Sequence, residues 1–250
     1  MSGKYLKKIF SKLGYSIIKN NSYGSLKEVV NKHFKHFDHL YNVIITEQKP
    51  IIFDIGSNMG NTIKLFKNKF PQSKIYGFEP IPECYEIIKK KYKENKNIEI
   101  YNLAVGEKKE EKIFNIYKRS GQSSFYKKIE NTDWYFKSKK QKLKFPIQER
   151  EIKVNIISLD DFVNEKKIEK IDFLKIDTEG YELDVLIGLE NKIEKVRFIL
   201  FEHHYHDMIK KNYTFSDINY FLLKNNFTQI YKSKMPFRKT FEYIYEQKPN

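Results

Sequence analysis

The sequence predicts an α/β fold on a mostly parallel sheet covered by helices on both faces. Two observations carry this: compact apolar runs of strand length alternate with helix-period segments from residue 50 onward, and a glycine-rich turn closes the first run. The first strand is Ile51-Ile52-Phe53-Asp54, closed by Gly56, and Asn61 to Lys69 follows as a helix with Ile63, Leu65 and Phe66 at helical spacing. Lys74 to Phe78 reads as the second strand and Pro82 to Lys93 as the next helix. Pro82 suits a first turn, where its missing N–H would have had no partner anyway. Ile98 to Leu103 is the third strand. Ile171 to Ile176 and Val196 to Phe201 are buried-type strands around a helix from Tyr181 to Leu189. A helix from Ser216 to Asn225, capped by Ser216, precedes strands at Phe227–Tyr231 and Phe241–Tyr245. With no helix between them, these last two form an antiparallel edge.

Two stretches stand outside this alternation, which divides the chain into an N-terminal basic helical extension (1–49) and a main domain (50–250) carrying a basic insertion (118–150). In the extension, Leu6, Ile9, Phe10, Leu13 and Ile17 make an apolar stripe among Lys4, Lys7, Lys8, Lys12 and Lys19. Such a helix either lies in an anionic lipid interface or docks its stripe on the body of the protein. The insertion, with Gly121, Ser123, Ser124, Trp134 and a run of lysines, is expected over the sheet edge or over a site.

The 250 residues carry 47 Lys+Arg against 32 Asp+Glu, a net charge of +15. Residues 1–49 hold +6 of this and 118–150 hold +7, so the charge lies off the main sheet. A basic chain first suggests nucleic acid, but this distribution fits an anionic acceptor or an anionic membrane face, and a Lys-, Ile- and Asn-rich composition also follows from A/T-rich coding. Aromatic content of 16% excludes a disordered or collagen-like chain. No apolar run approaches the roughly 18 residues that span a bilayer, and the N-terminus does not read as a signal peptide, so a cytoplasmic location is expected, with peripheral contact at the inner membrane face an option. The single Cys84 excludes an internal disulfide and a cysteine-based zinc cluster.

The strongest local signal is Asp54-Ile55-Gly56-Ser57-Asn58-Met59-Gly60, directly after a strand and before a helix. Glycines there allow a tight turn and close approach of a ligand to the helix N–H groups. Glu79, at the end of the next strand, stands where an acid can accept hydrogen bonds from both ribose hydroxyls of a nucleotide.

These motifs occur in order with Phe78-Glu79-Pro80, Asn102-Leu103-Ala104-Val105-Gly106, Ile157-Ser158-Leu159-Asp160, Leu174-Lys175-Ile176-Asp177-Thr178-Glu179-Gly180-Tyr181-Glu182 and Leu200-Phe201-Glu202. The set resembles the FkbM-type S-adenosylmethionine-dependent methyltransferases from about residue 50 to the end, and Leu13-Gly14-Tyr15 looks like that family's leader. The resemblance implies a seven-stranded Rossmann-like class I methyltransferase fold and O-methylation of sugar, glycan or polyketide hydroxyls. It places Asp54, Gly56, Asn58 and Gly60 around the methionine part of S-adenosylmethionine. Glu79 then falls on the ribose, Pro80 and Ile81 near the adenine, and Asn102, Leu103 and Ala104 on the adenine side. Asp177 falls where cofactor and acceptor meet.

Methyl transfer to a sugar hydroxyl needs in-line geometry and help with the proton, from a positioned base or a metal. His203 or His204 is the expected base, since imidazole titrates near neutrality, with Asp177 positioning the acceptor. Glu179 and Glu182 suit support of the following helix. A divalent metal on Asp177, Glu202 and a neighbouring histidine fits by ligand type, but base catalysis without metal is the expectation. His33, His36 and His39 read as a solvated helix face, and Cys84 as a buried thiol. Gly121-Gln122-Ser123-Ser124 is expected to line the cleft, and Trp134, Tyr135 and Phe136 either stack on a sugar ring or pack the insertion. The acceptor expected is a carbohydrate or sugar nucleotide. A ribose O-methyltransferase acting on RNA and a non-catalytic membrane-associated scaffold are the rivals. Nucleic acid is disfavoured as a partner: base-directed amino methylation in this fold resembles Asp/Asn-Pro-Pro-Tyr/Phe where the fourth strand here ends in Ile-Asp-Thr-Glu-Gly, while ribose methylation stays open on this motif.

Overall fold

A computed structural model describes residues 40–42, 44–129, 147–205, 209–235 and 239–248. The elements before the 118–150 segment are β1 (Ile51–Ile55), α1 (Asn61–Lys69), β2 (Lys74–Phe78), α2 (Pro82–Tyr92), β3 (Ile98–Tyr101), β4 (Ala104–Val105) and β5 (Glu110–Ile116). After it come β6 (Arg150–Ile157), α3 (Leu159–Glu165), β7 (Ile171–Ile176), α4 (Glu182–Ile187), β8 (Val196–His204), α5 (Phe215–Lys224), β9 (Phe227–Lys234) and β10 (Thr240–Gln247).

The main sheet has seven strands in the order β3-β2-β1-β7-β8-β10-β9. The first five are parallel, and β10 runs antiparallel to both β8 and β9. Alternation along the strands feeds two cores. Phe53, Ile55, Phe78, Leu174, Ile176 and Phe201 face one layer, while Ile52, Ile75, Phe173, Phe198 and Leu200 face the other. Because β1 pairs with β2 on one side and β7 on the other, the chain reverses direction across the sheet at β1. The crevice at the C-terminal ends of these strands is where open α/β sheets bind ligands.

Several details depart from the sequence reading. β4, β6 and β5 form a separate three-stranded sheet that the sequence reading does not include. In β6 Glu151, Lys153 and Asn155 are exposed while Val154 and Ile156 are buried, an alternation visible in the sequence itself. The helix expected at 181–189 is shorter, running Glu182–Ile187 with Gly188 as its C-cap, and a 3₁₀ turn, Glu190–Lys195, follows. β8 continues past Phe201 to His204. The cap of α5 is Thr214 rather than Ser216: Thr214 and Asp217 form a reciprocal capping box, for which Ser216 has no acidic partner at the right spacing. The amphipathic stripe and leader of the extension, His33, His36 and His39, and Trp134 to Phe136 lie outside the described residues. Among the described residues no helix is long and apolar enough to cross a membrane.

Candidate active site

The loop after β1 turns on Gly56, whose φ is +81°. A Cβ there would sit 2.0 Å from the carbonyl oxygen of Asp177, so glycine is what lets the ends of β1 and β7 converge. Gly56 and Ser57 donate their backbone N–H groups to the Phe78 carbonyl at 3.0 Å. The Asn58 N–H donates to Glu79 Oε2 at 2.6 Å and the Ile81 N–H donates to Oε1 at 2.9 Å. Burial pushes the Glu79 carboxyl up to about 7, against the pull of those two N–H groups. Asn102 donates through Nδ2 to the Glu79 and Pro80 carbonyls, holding the turn that presents Glu79.

Glu79 lies on a cleft of about 580 Å³ that is open to solvent. On this side its walls include Gly56, Asn58, Pro80, Leu103 and Ala104, with Ile81 and Phe114 completing an apolar surface. Three residues expected at the cofactor do not line it. Asn102 braces the turn from outside. Gly60 caps α1 and packs toward Ile88 of α2, where a Cβ would stand 3.2 Å from its Cγ1. Asp54 is wholly buried beneath the cleft.

Asp54 anchors an ion triad. Lys175 Nζ stands 3.1 Å from Asp54 Oδ1 and 3.4 Å from Asp177 Oδ2, and Asp177 reaches the cleft. Burial raises the Asp54 carboxyl, opposed by Lys175. Burial disfavours the Lys175 ammonium, but the two aspartates override it and hold its value above the usual lysine range. A lysine between Leu174 and Ile176 in a fully buried strand signals a counter-ion in the sequence itself, yet Lys175 carries no assigned role there.

The turn after β7 is held from two sides. Glu182 Oε1 accepts from the Thr178 N–H at 3.4 Å, Thr178 Oγ1 at 3.1 Å and the Gly180 N–H at 2.9 Å, while Tyr213 donates to Oε2. Ser124 Oγ donates to the Glu179 carbonyl at 2.8 Å from the opposite side. Gly121 and Ser123 line the cleft, and Ser120 Oγ donates to Asn58 Oδ1 at 2.6 Å. The 120–124 stretch therefore spans both ends of the cleft.

The two histidines point to opposite faces of β8, as neighbours on a strand must. His203 packs edge-on against Tyr205 and Phe215, with Lys211 Nζ 3.3 Å from Nδ1. Burial, then the Lys211 charge, pushes its value down to about 3, so it stays neutral at physiological pH. His204 Nε2 lies 3.0 Å from Glu202 Oε1 and 3.4 Å from Glu179 Oε2. Neither histidine lines the cleft; Glu179 does. Among the described residues no three His, Cys, Asp or Glu groups are arranged to hold a metal ion. Cys84 is buried 3.6 Å from Asn58 Oδ1, and burial, then the Glu79 charge, pushes its thiol up to about 12. At that value a helix N-terminus does not make it a nucleophile.

The sheet order with an antiparallel β10, the glycine turn after β1 and the acid after β2 define an α/β class I methyltransferase fold. The methyltransferase FkbM domain matches residues 54–228, and the chain belongs to this family of S-adenosylmethionine-dependent methyltransferases. It is 28% identical over 188 residues to methyltransferase sdnD of Sordaria araneosa, covering 66% of this chain and 70% of that protein. It is 24% identical over 170 residues to the 2-O-methyltransferase NoeI of Sinorhizobium fredii, covering 64% and 65%. Identity to the hexuronic acid methyltransferase AglP of Haloferax volcanii is 25% over 158 residues, covering 63% and 57%. The fold matches the METTL16 methyltransferase domain with a TM-score of 0.51 at 11% identity, covering 98% of this chain and 77% of that one.

Proposed function

We propose that this chain binds S-adenosylmethionine in the cleft and transfers its methyl group to a hydroxyl of a sugar or glycan precursor, such as a surface polysaccharide unit or a sugar nucleotide. The observation that carries the reading is one cleft with Glu79 at one end and Asp177 and Glu179 at the other. Glu79 is presented by two backbone N–H groups and fits two neighbouring hydroxyls. Ile81, Leu103, Ala104 and Phe114 offer the apolar surface that a planar base needs. Bound there, the cofactor supplies an electrophilic methyl group on a sulfonium. The chain's own residues do the rest: Glu79 grips the ribose, Asp177 faces the junction of donor and acceptor, and the 120–124 stretch orders the acceptor end. The names of NoeI and AglP support a sugar hydroxyl as acceptor. The basic 118–150 insertion suits an anionic acceptor, and the basic 1–49 extension an anionic membrane face.

A methyl-transfer screen of sugar nucleotides and glycans with isotopically labelled cofactor tests this. Label in a carbohydrate, retained as a methyl ether, is the expected result. Label found only in RNA, with binding that weakens steeply with salt, would replace the reading with ribose methylation.

A further inference from the structure

We infer that Glu179 takes the proton from the acceptor hydroxyl, and that His204, shared with Glu202, positions it; this rests on the reading above and assigns its base. The three carboxylates on the cleft differ in what they already do. Glu79 has both oxygens engaged by the Asn58 and Ile81 N–H groups, and Asp177 is held against the buried Lys175 ammonium. Glu179 instead reaches out of the cleft to the His204 imidazole, whose Nε2 lies 3.4 Å from its Oε2.

Its backbone supports the same assignment. Glu179 holds a left-handed φ of 53°, unfavourable for a side chain with a Cβ, followed by Gly180 at 109°. That conformation is kept by the Ser124 bond to its carbonyl and the Gly180 bond to Glu182. The strained turn aims Glu179 so that it both lines the cleft and reaches His204.

The cluster behind it fixes its position. Glu179 and Glu202, both largely buried, stand 3.4 and 3.0 Å from one imidazole Nε2, so the His204 ring ties the cleft carboxylate to a second one behind it. Lys128 from the 120–129 stretch and Lys211 before α5 add positive charge at Glu179, while Glu182 of α4 adds negative charge at Lys211. In the reaction, the acceptor O–H proton passes to a Glu179 oxygen. The freed oxygen pair forms the O–CH₃ bond as the S–CH₃ bond breaks, its electrons returning to sulfur and leaving a neutral thioether. Glu179 then releases the proton to solvent at the cleft mouth.

The test uses the full chain saturated with S-adenosylhomocysteine, with the His204 ring followed by NMR across pH and assigned by its loss in His204→Gln. In Glu179→Gln the His204 midpoint should fall by about one unit or more, because an adjacent anion is gone, while S-adenosylhomocysteine affinity stays within about threefold. Glu202→Gln, which leaves the cleft wall intact, should lower the midpoint as well. With whichever acceptor the isotope screen returns, Glu179→Gln should lower kcat by about 10²-fold or more, the scale of a lost general base, and Glu179→Asp should recover part of it. His204→Gln should lower kcat with little change in KM and shift the acid limb of the kcat–pH profile, which lost packing alone would not do. A His204 midpoint unmoved in Glu179→Gln, or kcat kept within about threefold, overturns the inference. The NMR arm needs no acceptor, so a screen that finds no sugar substrate overturns the proposed function without touching this result.

Discussion

The two ends of the cleft are built by different means. The β1–β2 end is assembled from backbone groups on two adjacent strands: the glycine turn at 56, the Asn58 and Ile81 N–H groups on Glu79, and the Phe78 carbonyl that holds the turn. The β7–β8 end is assembled from side chains that meet across the fold. Lys175 bridges Asp54 and Asp177, Ser124 reaches the Glu179 carbonyl, Tyr213 reaches Glu182, and His204 sits between Glu179 and Glu202. A backbone-built end is set by the sheet itself. A side-chain-built end can be retuned by single substitutions without moving the sheet, which suits the end that must choose an acceptor.

Breaking the side-chain end should cost most. Lys175→Met leaves two aspartates without their ammonium, one fully buried, and should destabilise the fold by about 3–5 kcal/mol in urea unfolding. The double variant Asp54→Asn, Lys175→Met should regain part of this; a loss under about 1 kcal/mol in the single variant would show that the triad carries little. Next is the backbone end. Gly56→Ala forces a Cβ to within 2.0 Å of the Asp177 carbonyl at a positive φ, and should cost about 3 kcal/mol by the same measurement. A near-neutral Gly56→Ala would mean that β1 and β7 need not converge. Smallest is Ser124→Ala, which removes one buried hydrogen bond and should cost about 1 kcal/mol. Its stronger effect should fall on acceptor KM rather than on cofactor affinity, and the reverse pattern would blur the division between the ends.

The same division explains what the sequence shows. The β1 turn, Glu79 and the proline-opened α2 are legible because each carries a local signature: glycines between a strand and a helix, an acid closing the next strand, and a proline in a first turn. The Lys175 and Ser124 contacts are not, because their partners lie 121 and 55 residues away in chain distance (Lys175 to Asp54, Ser124 to Glu179), and only the fold brings them together. Some signals are present but easily passed over. Lys175 between Leu174 and Ile176 announces a counter-ion, Thr214-Phe215-Ser216-Asp217 contains the capping box, and the alternation of 150–157 marks an extra strand. Adjacent His203 and His204 cannot both face one side of β8, so the strand period separates them even before the structure does. Gly60 and Asn102 sit in the expected motifs but serve packing and turn geometry, a distinction that needs three dimensions.

Glu79 also sets a pH dependence. Its carboxyl is raised from 4.5 to about 7, so its own contribution to the stability of the free protein is full below about 4.5 and lost as pH rises through about 7. Cofactor binding runs the other way, because the ionised carboxylate is the form that accepts both ribose hydroxyls. The central claim, that Glu79 serves the cofactor while Glu179 serves the acceptor, is tested most directly by calorimetric titration of S-adenosylhomocysteine into the native protein, Glu79→Gln and Glu179→Gln at pH 8 and pH 6. Glu79→Gln should weaken binding by about 2 kcal/mol, roughly 30-fold, and abolish the pH dependence. Native affinity should fall between pH 8 and 6, and Glu179→Gln should stay within about threefold of native at pH 8. Native-like binding by Glu79→Gln, or equal losses in both variants, would contradict it.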